Sequence, residues 1–328
     1  MNRSSLKTRI LDFIHSDGAS EPFESLALDA HRWQRTHAPV IEALSTSEVS
    51  TWTQIPAVPV SLFKSLPVGT LRQGESYVTF RTSGTTGGGQ GVHRLRDTDL
   101  YDAGSIQHYR SCVPDSPSTI VALLSDPTTH PDSSLSHMVA LFSSNVRWTF
   151  HEGLDRSALN AAIATSTQPL FVPSTAFALA EWLQGPVEAL PEGSVLMVTG
   201  GFKGRNVEFS DSELYGEARR KLAPHRLVTE YGMTELSSQL WGEPGQPYRP
   251  PAWMRVLSVD PETGRPLHSG SPGQLRFIDL ANLDSTLAID TLDCGWIDED
   301  GGVHLQGRLQ GAPARGCSLT VEEAWGRP

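Results

Sequence analysis

The sequence predicts an α/β protein: helix-covered sheets followed by a β-rich tail. Three observations point there. From about Tyr77, short apolar stretches alternate with helical patterns, and after about Trp241 turn-separated strand pairs take over. The 29 glycines and 23 prolines of the 328 residues gather between apolar segments rather than in a low-complexity tract, as loops require.

From Met1 to about Leu71 the pattern is mostly helical. Leu6, Ile10, Leu11, Phe13 and Ile14 fall on one helical face, and Phe23, Leu26, Leu28 and Trp33 on a second. The proline-spaced IPAVPVSLFK (55–64) reads as extended, because each proline biases its predecessor toward the β region. Strands are expected at Tyr77–Phe80, Thr119–Leu124, Leu170–Val172, Ser194–Val198 and Arg226–Thr229. Helices are expected at Thr98–Tyr109, Thr175–Leu183 and Ser212–Leu222. In the tail, VLSVDPETGRPL and WIDEDGGVHLQG each place a turn between two strands. This β-rich part, 243–328, is expected to join a body at 72–242 and a helical region at 1–71 without a flexible linker.

Composition narrows the function classes. Hydrophobic residues at 38% and charged residues at 19% exclude a wholly disordered chain and a coiled coil. A net charge of −11 argues against general nucleic-acid binding, which needs basic surface. Cys112, Cys294 and Cys317 are too few and scattered for a disulfide framework or zinc site, and free thiols suit a reducing cytoplasm. The basic N-terminus lacks a signal-peptide core, and no apolar run approaches the roughly 18–20 residues of a membrane span. A cytoplasmic protein is expected.

Three stretches carry chemistry. In the first, a strand at Tyr77–Phe80 runs into Thr82-Ser83-Gly84-Thr85-Thr86-Gly87, then Gly88, Gly89, Gln90 and Gly91. Glycines let backbone N–H groups converge on an anion and hydroxyls add donors without bulk, which suits a polyphosphate. A flexible surface loop has the same glycine count, but the hydroxyls around Gly84 favour the anion. The Gly-Lys-Ser/Thr ending of a Walker loop is missing. In the second, Tyr231-Gly232-Met233-Thr234-Glu235 follows a strand: a ring beside a glycine suits a base, Thr234 a phosphate, and Glu235 a magnesium ion. Core packing and a helix-start carboxylate are the plainer readings of the same residues. In the third, Asp293 precedes Gly307-Arg308; two carboxylate oxygens suit the two ribose hydroxyls and an arginine suits phosphate. A turn aspartate and a solvated arginine are the plainer readings there.

In this order the three resemble the acyl-adenylate-forming (ANL) superfamily, and within it the LuxE-type acyl-protein synthetases. The subgroup likeness rests on IPAVPVSLFK (55–64), FRTSGTTGGGQGVHRLRD (80–97), TGGFKGR (199–205), EYGMTELSSQ (230–239), PAWMRVL (251–257), LRFIDLAN (275–282) and GRLQGAPARGCSLTVEE (307–323). The resemblance implies one adenylate-forming domain over 1–328, the large N-terminal-type domain of these enzymes without their small C-terminal domain. It implies that ATP activates a carboxylic acid, with a fatty acid expected, as acyl-adenylate before a thiol takes the acyl group. By motif, Thr82, Ser83, Gly84, Thr85, Thr86 and Gly87 would hold the β- and γ-phosphates, Tyr231 and Gly232 the adenine, and Thr234 the α-phosphate. Glu235 would ligate Mg²⁺, Asp293 and Arg308 would serve the ribose, and Gly200 and Gly201 would let backbone approach the adenine or acyl end. The acid pocket is expected from Phe171–Phe177, Gly200–Phe202 and Tyr231–Met233.

The chain departs from the superfamily pattern in three ways. Gly89-Gln90-Gly91 stands where Pro-Lys-Gly is usual, with His93, Arg94 and Arg96 as substitute charges. Gln310 replaces the hinge aspartate, and the domain bearing the usual adenylation lysine is expected to be missing; Lys203 and Arg205 are candidate replacements. The LuxE likeness implies transfer to a partner reductase or carrier by way of a cysteine, for which Cys317 beside Arg315 is the matching position. A short acyl- or aryl-CoA ligase, and a catalytically lapsed nucleotide- or acyl-binding partner protein, are the alternatives.

Overall fold

The apolar faces near the N-terminus form helices as their spacing predicts. In the computed structural model, which describes residues 1–72, 74–75, 77–82, 89–150, 153–201 and 210–309, α1 (Arg3–His15) buries Leu6, Ile10, Phe13 and Ile14. Helix α2 (Phe23–His37) buries Phe23, Leu26 and Trp33. Asn2 caps α1 by accepting from the Ser5 N–H at 2.9 Å, and Pro39 opens α3 (Pro39–Leu44), where a missing N–H leaves no bond unmade.

IPAVPVSLFK departs from the expected extended run. Only β1 (Val58–Pro59) is a strand; Val60–Lys64 winds into a 3-10 turn that buries Leu62 and Phe63. A proline restricts only the residue ahead of it, and none follows Pro59 until Pro67, so apolar burial decides the conformation between them.

The chain continues through β2 (Val78–Arg81), β3 (Val92–Leu95) and α4 (Asp99–Cys112). Next come β4 (Ile120–Ala122), α5 (Ser134–Phe142), β5 (Val146–Trp148), α6 (Arg156–Thr165), β6 (Phe171–Thr175), α7 (Ala176–Leu183) and β7 (Val195–Thr199). Then follow α8 (Asp211–Leu222), β8 (Arg226–Tyr231), β9 (Leu240–Gly242), β10 (Met254–Val259), β11 (Gly273–Asp279), β12 (Ala288–Ile297) and β13 (Val303–Arg308). The expected strands and helices of the body all form. Helices α5 and α6 were not anticipated; α5 begins in a Ser-rich stretch that reads as loop.

Two compact units divide the chain. One comprises Met1–Gln107, Met233–Ser238 and the chain from Arg249 onward. Its larger sheet runs β1-β12-β11-β10, with β13 also on β12. The WIDEDGG hairpin forms: Ile297 pairs with Val303, Asp298 N–H donates to Gly302 O at 2.9 Å, and the register sets Asp293 opposite Arg308. The other expected hairpin forms only as a short one: Gly264 N–H donates to Asp260 O at 2.8 Å, Asp260 N–H to Arg265 O at 2.9 Å and Leu267 N–H to Ser258 O at 2.8 Å, a single bridge joins Val259 to Pro266, and β10 pairs along its length with β11. Pro266 has no N–H with which to extend a ladder. The unit's core packs Leu6, Ile10, Phe13 and Leu26 with Trp253, Ile278 and Leu287.

The second unit comprises His108–Gly232 and Gln239–Tyr248. Its sheet runs β5-β4-β6-β7-β8-β9, parallel except for β9. Strands β6 and β7 are buried almost throughout, so they read as apolar runs rather than alternating ones. Leu159 and Ile163 of α6, Trp182 of α7, and Leu214 and Leu222 of α8 pack with Val172, Leu196 and Val198. A reciprocal Ser210–Glu213 box opens α8, and Ala223 at φ 46° closes it. Phe171, expected in the acid pocket, is instead core: its ring centroid lies 5.3 Å from that of Tyr109 and 6.3 Å from that of Phe142. Among the described residues no helix is long and apolar enough to cross a membrane.

Candidate functional site

Strands β2 and β3 pair antiparallel with Phe80 opposite His93, and so bring the two ends of the glycine-and-hydroxyl loop together. Ser83, Gly84, Thr85, Thr86 and Gly87 lie outside the described residues, as do Lys203, Arg205, Gln310 and Cys317. The neck of the loop is described. Thr82 N–H donates to Gly91 O at 3.1 Å, and Gly91 N–H donates back to Thr82 Oγ1 at 2.8 Å. Glu235 lies on this neck. A Cβ added at Gly91 would sit 2.6 Å from Glu235 Oε1 and 3.1 Å from Thr82 Cγ2, so only glycine lets the carboxylate approach the backbone there.

Motifs far apart in sequence hold Thr234 and Glu235. His93 Nδ1 donates to Thr234 O at 2.8 Å, and Asn282 Nδ2 donates to Glu235 O at 3.0 Å. Asp279 accepts from Ser238 Oγ at 2.8 Å and from the N–H groups of Ser237 and Ala281 at 3.1 and 3.0 Å. Trp253 Nε1 donates to Ser238 Oγ at 2.9 Å. PAWMRVL and LRFIDLAN thus act as the seat of the TELSS turn, a role the sequence did not disclose.

The charges expected to stand in for the loop lysine are occupied otherwise. His93 is fully buried, and burial lowers its ring to about 4, so it is neutral near pH 7. A carbonyl accepts its Nδ1 proton, and among the described residues the buried Nε2 has no hydrogen-bond partner. Arg94 lies over the Tyr77 ring, 5.7 Å from its centroid, and Arg96 makes a two-pronged pair with Glu75 at 3.0 and 3.1 Å.

Burial raises the Glu235 carboxyl above the ordinary carboxylate range, while its own N–H and the charges of Lys64 and Arg308 pull the other way. Glu235 is 4% exposed, so this carboxylate is held away from water with two cations in its field. Arg308 Nε in turn meets Asp293 Oδ1 at 3.2 Å, the pair set opposite by the β12–β13 register. The unit therefore brings Thr82, Thr234, Glu235, Asp293 and Arg308 into one connected neighbourhood.

In the second unit, β7 and β8 are parallel neighbours with Thr199 opposite Glu230. Gly200 and Gly201 follow β7, and Gly232 follows Tyr231 at the end of β8, so both pairs stand at the carboxyl ends of adjacent strands. Open α/β sheets bind ligands at such ends. The Tyr231 ring is buried and meets Tyr248 edge to face, with centroids 6.1 Å apart.

Glu230 stands in EYGMTELSSQ but carries no expected role, although a carboxylate inside the strand RLVTEY is a visible anomaly. It is buried and accepts from the Thr199 hydroxyl, and a Cβ at Gly232 would collide with its Oε1. Burial raises it from 4.5 to about 7, and the Thr199 hydrogen bond offsets only part of that. A carboxyl raised in the folded state contributes its full stability below its unfolded pKa, and that stability is lost as pH rises through the folded value. Glu230→Gln, neutral at every pH, is expected to match the parent in stability near pH 4 and to exceed it by about 3 kcal/mol near pH 8. Urea unfolding at both pH values checks this; a pH-independent difference contradicts it.

No family model and no curated protein sequence matches this chain. Solved structures do. ATP-bound MatB from Rhodopseudomonas palustris is similar at 19% identity and a TM-score of 0.52, over 70% of this chain and 47% of that one. O-succinylbenzoate coenzyme A synthetase (MenE) from Bacillus subtilis, in complex with ATP and magnesium ion, is similar at 17% identity and a TM-score of 0.53, over 73% of this chain and 51% of that one. A long-chain-fatty-acid-CoA ligase (FadD1) from Archaeoglobus fulgidus is similar at 18% identity and a TM-score of 0.51, over 70% of this chain and 51% of that one. This chain spans about half the length of those it matches. At such identities the likeness establishes the fold, and the α/β architecture expected from the resemblance is the one observed.

Proposed function

We propose that this protein is an AMP-forming acid–thiol ligase: it joins a carboxylic acid to the α-phosphate of ATP and passes the acyl group to a thiol. The observation that carries the reading is the Glu235 carboxylate, buried against Gly91 and Thr82 at the neck of the hydroxyl-rich loop, with Arg308 in its field. The shared fold with the ATP-bound and ATP- and magnesium-bound structures supports the choice of nucleotide.

The donor set fits magnesium. Among the described residues no cluster of three His, Cys, Asp or Glu side chains forms a cage. Magnesium bound with a nucleotide needs none, because one or two carboxylates plus substrate phosphates suffice. A buried carboxylate beside a glycine that leaves room for approach is such a donor, and Glu235 is the proposed ligand. The ion would neutralise phosphate charge. The residues of the chain supply the rest: Thr82, Gly91 and the loop between them for the β- and γ-phosphates, Thr234 for the α-phosphate, Asp293 and Arg308 for the ribose. Tyr231 and Gly232 are proposed for the adenine, and Gly200 and Gly201 for the adenine or acyl end. A carboxylate is a weak nucleophile facing a polyanion, so alignment and charge neutralisation carry the reaction and no acid–base dyad is needed.

For the second step we favour a protein thiol, that of a reductase or carrier, reached by way of Cys317. Coenzyme A is the second reading, favoured by the shared fold with MenE and FadD1, a coenzyme A synthetase and a CoA ligase. Hydroxylamine trapping with ATP, Mg²⁺ and a panel of alkyl and aryl acids tests the first step: hydroxamate without added thiol is expected, and none across the panel contradicts the ligase reading. Labelled acid then separates the acceptors. Label held on the protein and lost in Cys317→Ser supports the protein thiol, and label released as acyl-CoA supports coenzyme A.

A further inference from the structure

The adenylation step needs a cation, and of those the sequence offers, Lys203 and Arg205 lie outside the described residues. In it, a carboxylate oxygen forms a bond to the α-phosphorus, the bond from that phosphorus to the bridging oxygen breaks, and pyrophosphate leaves with the bridging oxygen; no proton moves. Negative charge from two anions converges on one phosphorus, so a fixed positive charge at that point contributes most. His93 is neutral, Arg94 covers Tyr77, Arg96 is paired with Glu75, and Arg308 is paired with Asp293.

We propose that Lys64 is this cation, its Nζ contacting the carboxylate and α-phosphate oxygens as they react; the proposal rests on the ligase reading above. Lys64 closes the 3-10 turn Val60–Lys64, whose position is set from both sides. Ahead of the turn, Val58 and Pro59 pair in parallel with Ile289 and Asp290 of β12, the strand that carries Asp293 farther along. Within the turn, Phe63 is 1% exposed and meets the His93 ring edge-on, with centroids 6.1 Å apart. That is the imidazole whose Nδ1 holds the Thr234 carbonyl.

Lys64 therefore follows directly on a residue packed against the support of the Thr234–Glu235 turn. Its own side chain is exposed and, among the described residues, enters no ion pair or hydrogen bond. Its charge nonetheless reaches the Glu235 carboxyl, as does that of Arg308. Of these two cations only Lys64 is uncommitted. A 3-10 turn with two buried anchors and an exposed lysine at its end is a mount for a charge. The departure of Val60–Lys64 from an extended path is what creates it.

Acid-dependent exchange of labelled pyrophosphate into ATP tests the proposal, with ATP affinity and melting temperature measured in parallel. Lys64→Ala is expected to slow exchange by about 10²–10³-fold, the range seen when a well-placed electrostatic group is removed. ATP affinity and melting temperature should hold, Lys64→Arg should retain more exchange than Lys64→Ala, and added ethylammonium should restore part of the lost rate. Undiminished exchange in Lys64→Ala overturns the assignment and leaves the ligase reading standing. A loss that tracks weakened ATP binding or a lowered melting temperature, without amine rescue, also overturns it, because the residue is then structural. No exchange in the parent protein with any acid of the panel overturns the ligase reading and this assignment together.

Discussion

Glu235→Ala is expected to remove Mg²⁺-dependent adenylate formation while leaving the protein folded. The side chain contributes one carboxylate, and burial opposes its ionisation, so its loss relieves a desolvation cost rather than breaking a scaffold. The backbone that positions it is held independently: the Glu235 carbonyl by Asn282, the Thr234 carbonyl by His93, and the following turn by Asp279. A fall of at least about 10²–10³-fold in hydroxamate yield is expected, with an unchanged melting temperature. Glu235→Gln keeps the volume and loses the charge, so it should fail almost as badly. Full turnover in either variant would show that the metal role does not belong to this residue.

Asp279→Ala is expected to have the largest effect on stability among single changes around the site. The side chain is fully buried and accepts from the Ser238 hydroxyl and from the N–H groups of Ser237 and Ala281. Its removal leaves three buried donors without an acceptor, each costing about 1–3 kcal/mol, so a loss of about 3 kcal/mol or more is expected from denaturant unfolding. Asp279→Asn retains one acceptor oxygen and should lose less. Because the Ser237–Ser238 segment follows Glu235 directly, Asp279→Ala should also lower adenylation in whatever fraction remains folded. Stability equal to the parent would mean that these donors find other partners.

The parts of the fold that were legible in the sequence are those where one local rule decides. Helices α1 and α2 declared themselves by an apolar stripe, β6 and β7 by apolar runs between glycines and prolines, and the β12–β13 hairpin by Asp298 and the glycines after it. The turn at Val60–Lys64 was not legible, because Leu62 and Phe63 are drawn inward by contacts distant in sequence, among them His93. The DPETG turn was legible, but the partner of β10 was not: local turn chemistry cannot show that β11, a segment farther on, supplies the ladder. The site divides in the same way. Thr82, Thr234, Glu235, Asp293 and Arg308 stood out by residue type and order. The residues that hold them, His93, Asn282, Asp279 and Trp253, look like ordinary core, because a supporting hydrogen bond leaves no mark on local sequence. Arg94 and Arg96 stood in the right place along the chain, yet strand alternation and the neighbours Tyr77 and Glu75 direct them elsewhere.

The central claim is that the neck between Thr82 and Gly91 receives the phosphates of ATP beside Glu235. Crystals grown with Mg²⁺ and a non-hydrolysable ATP analogue test it most directly. The triphosphate is predicted to lie against the Gly91 backbone, with the metal bound to a Glu235 oxygen. A nucleotide bound elsewhere on the protein, with Glu235 touching neither metal nor phosphate, would contradict it.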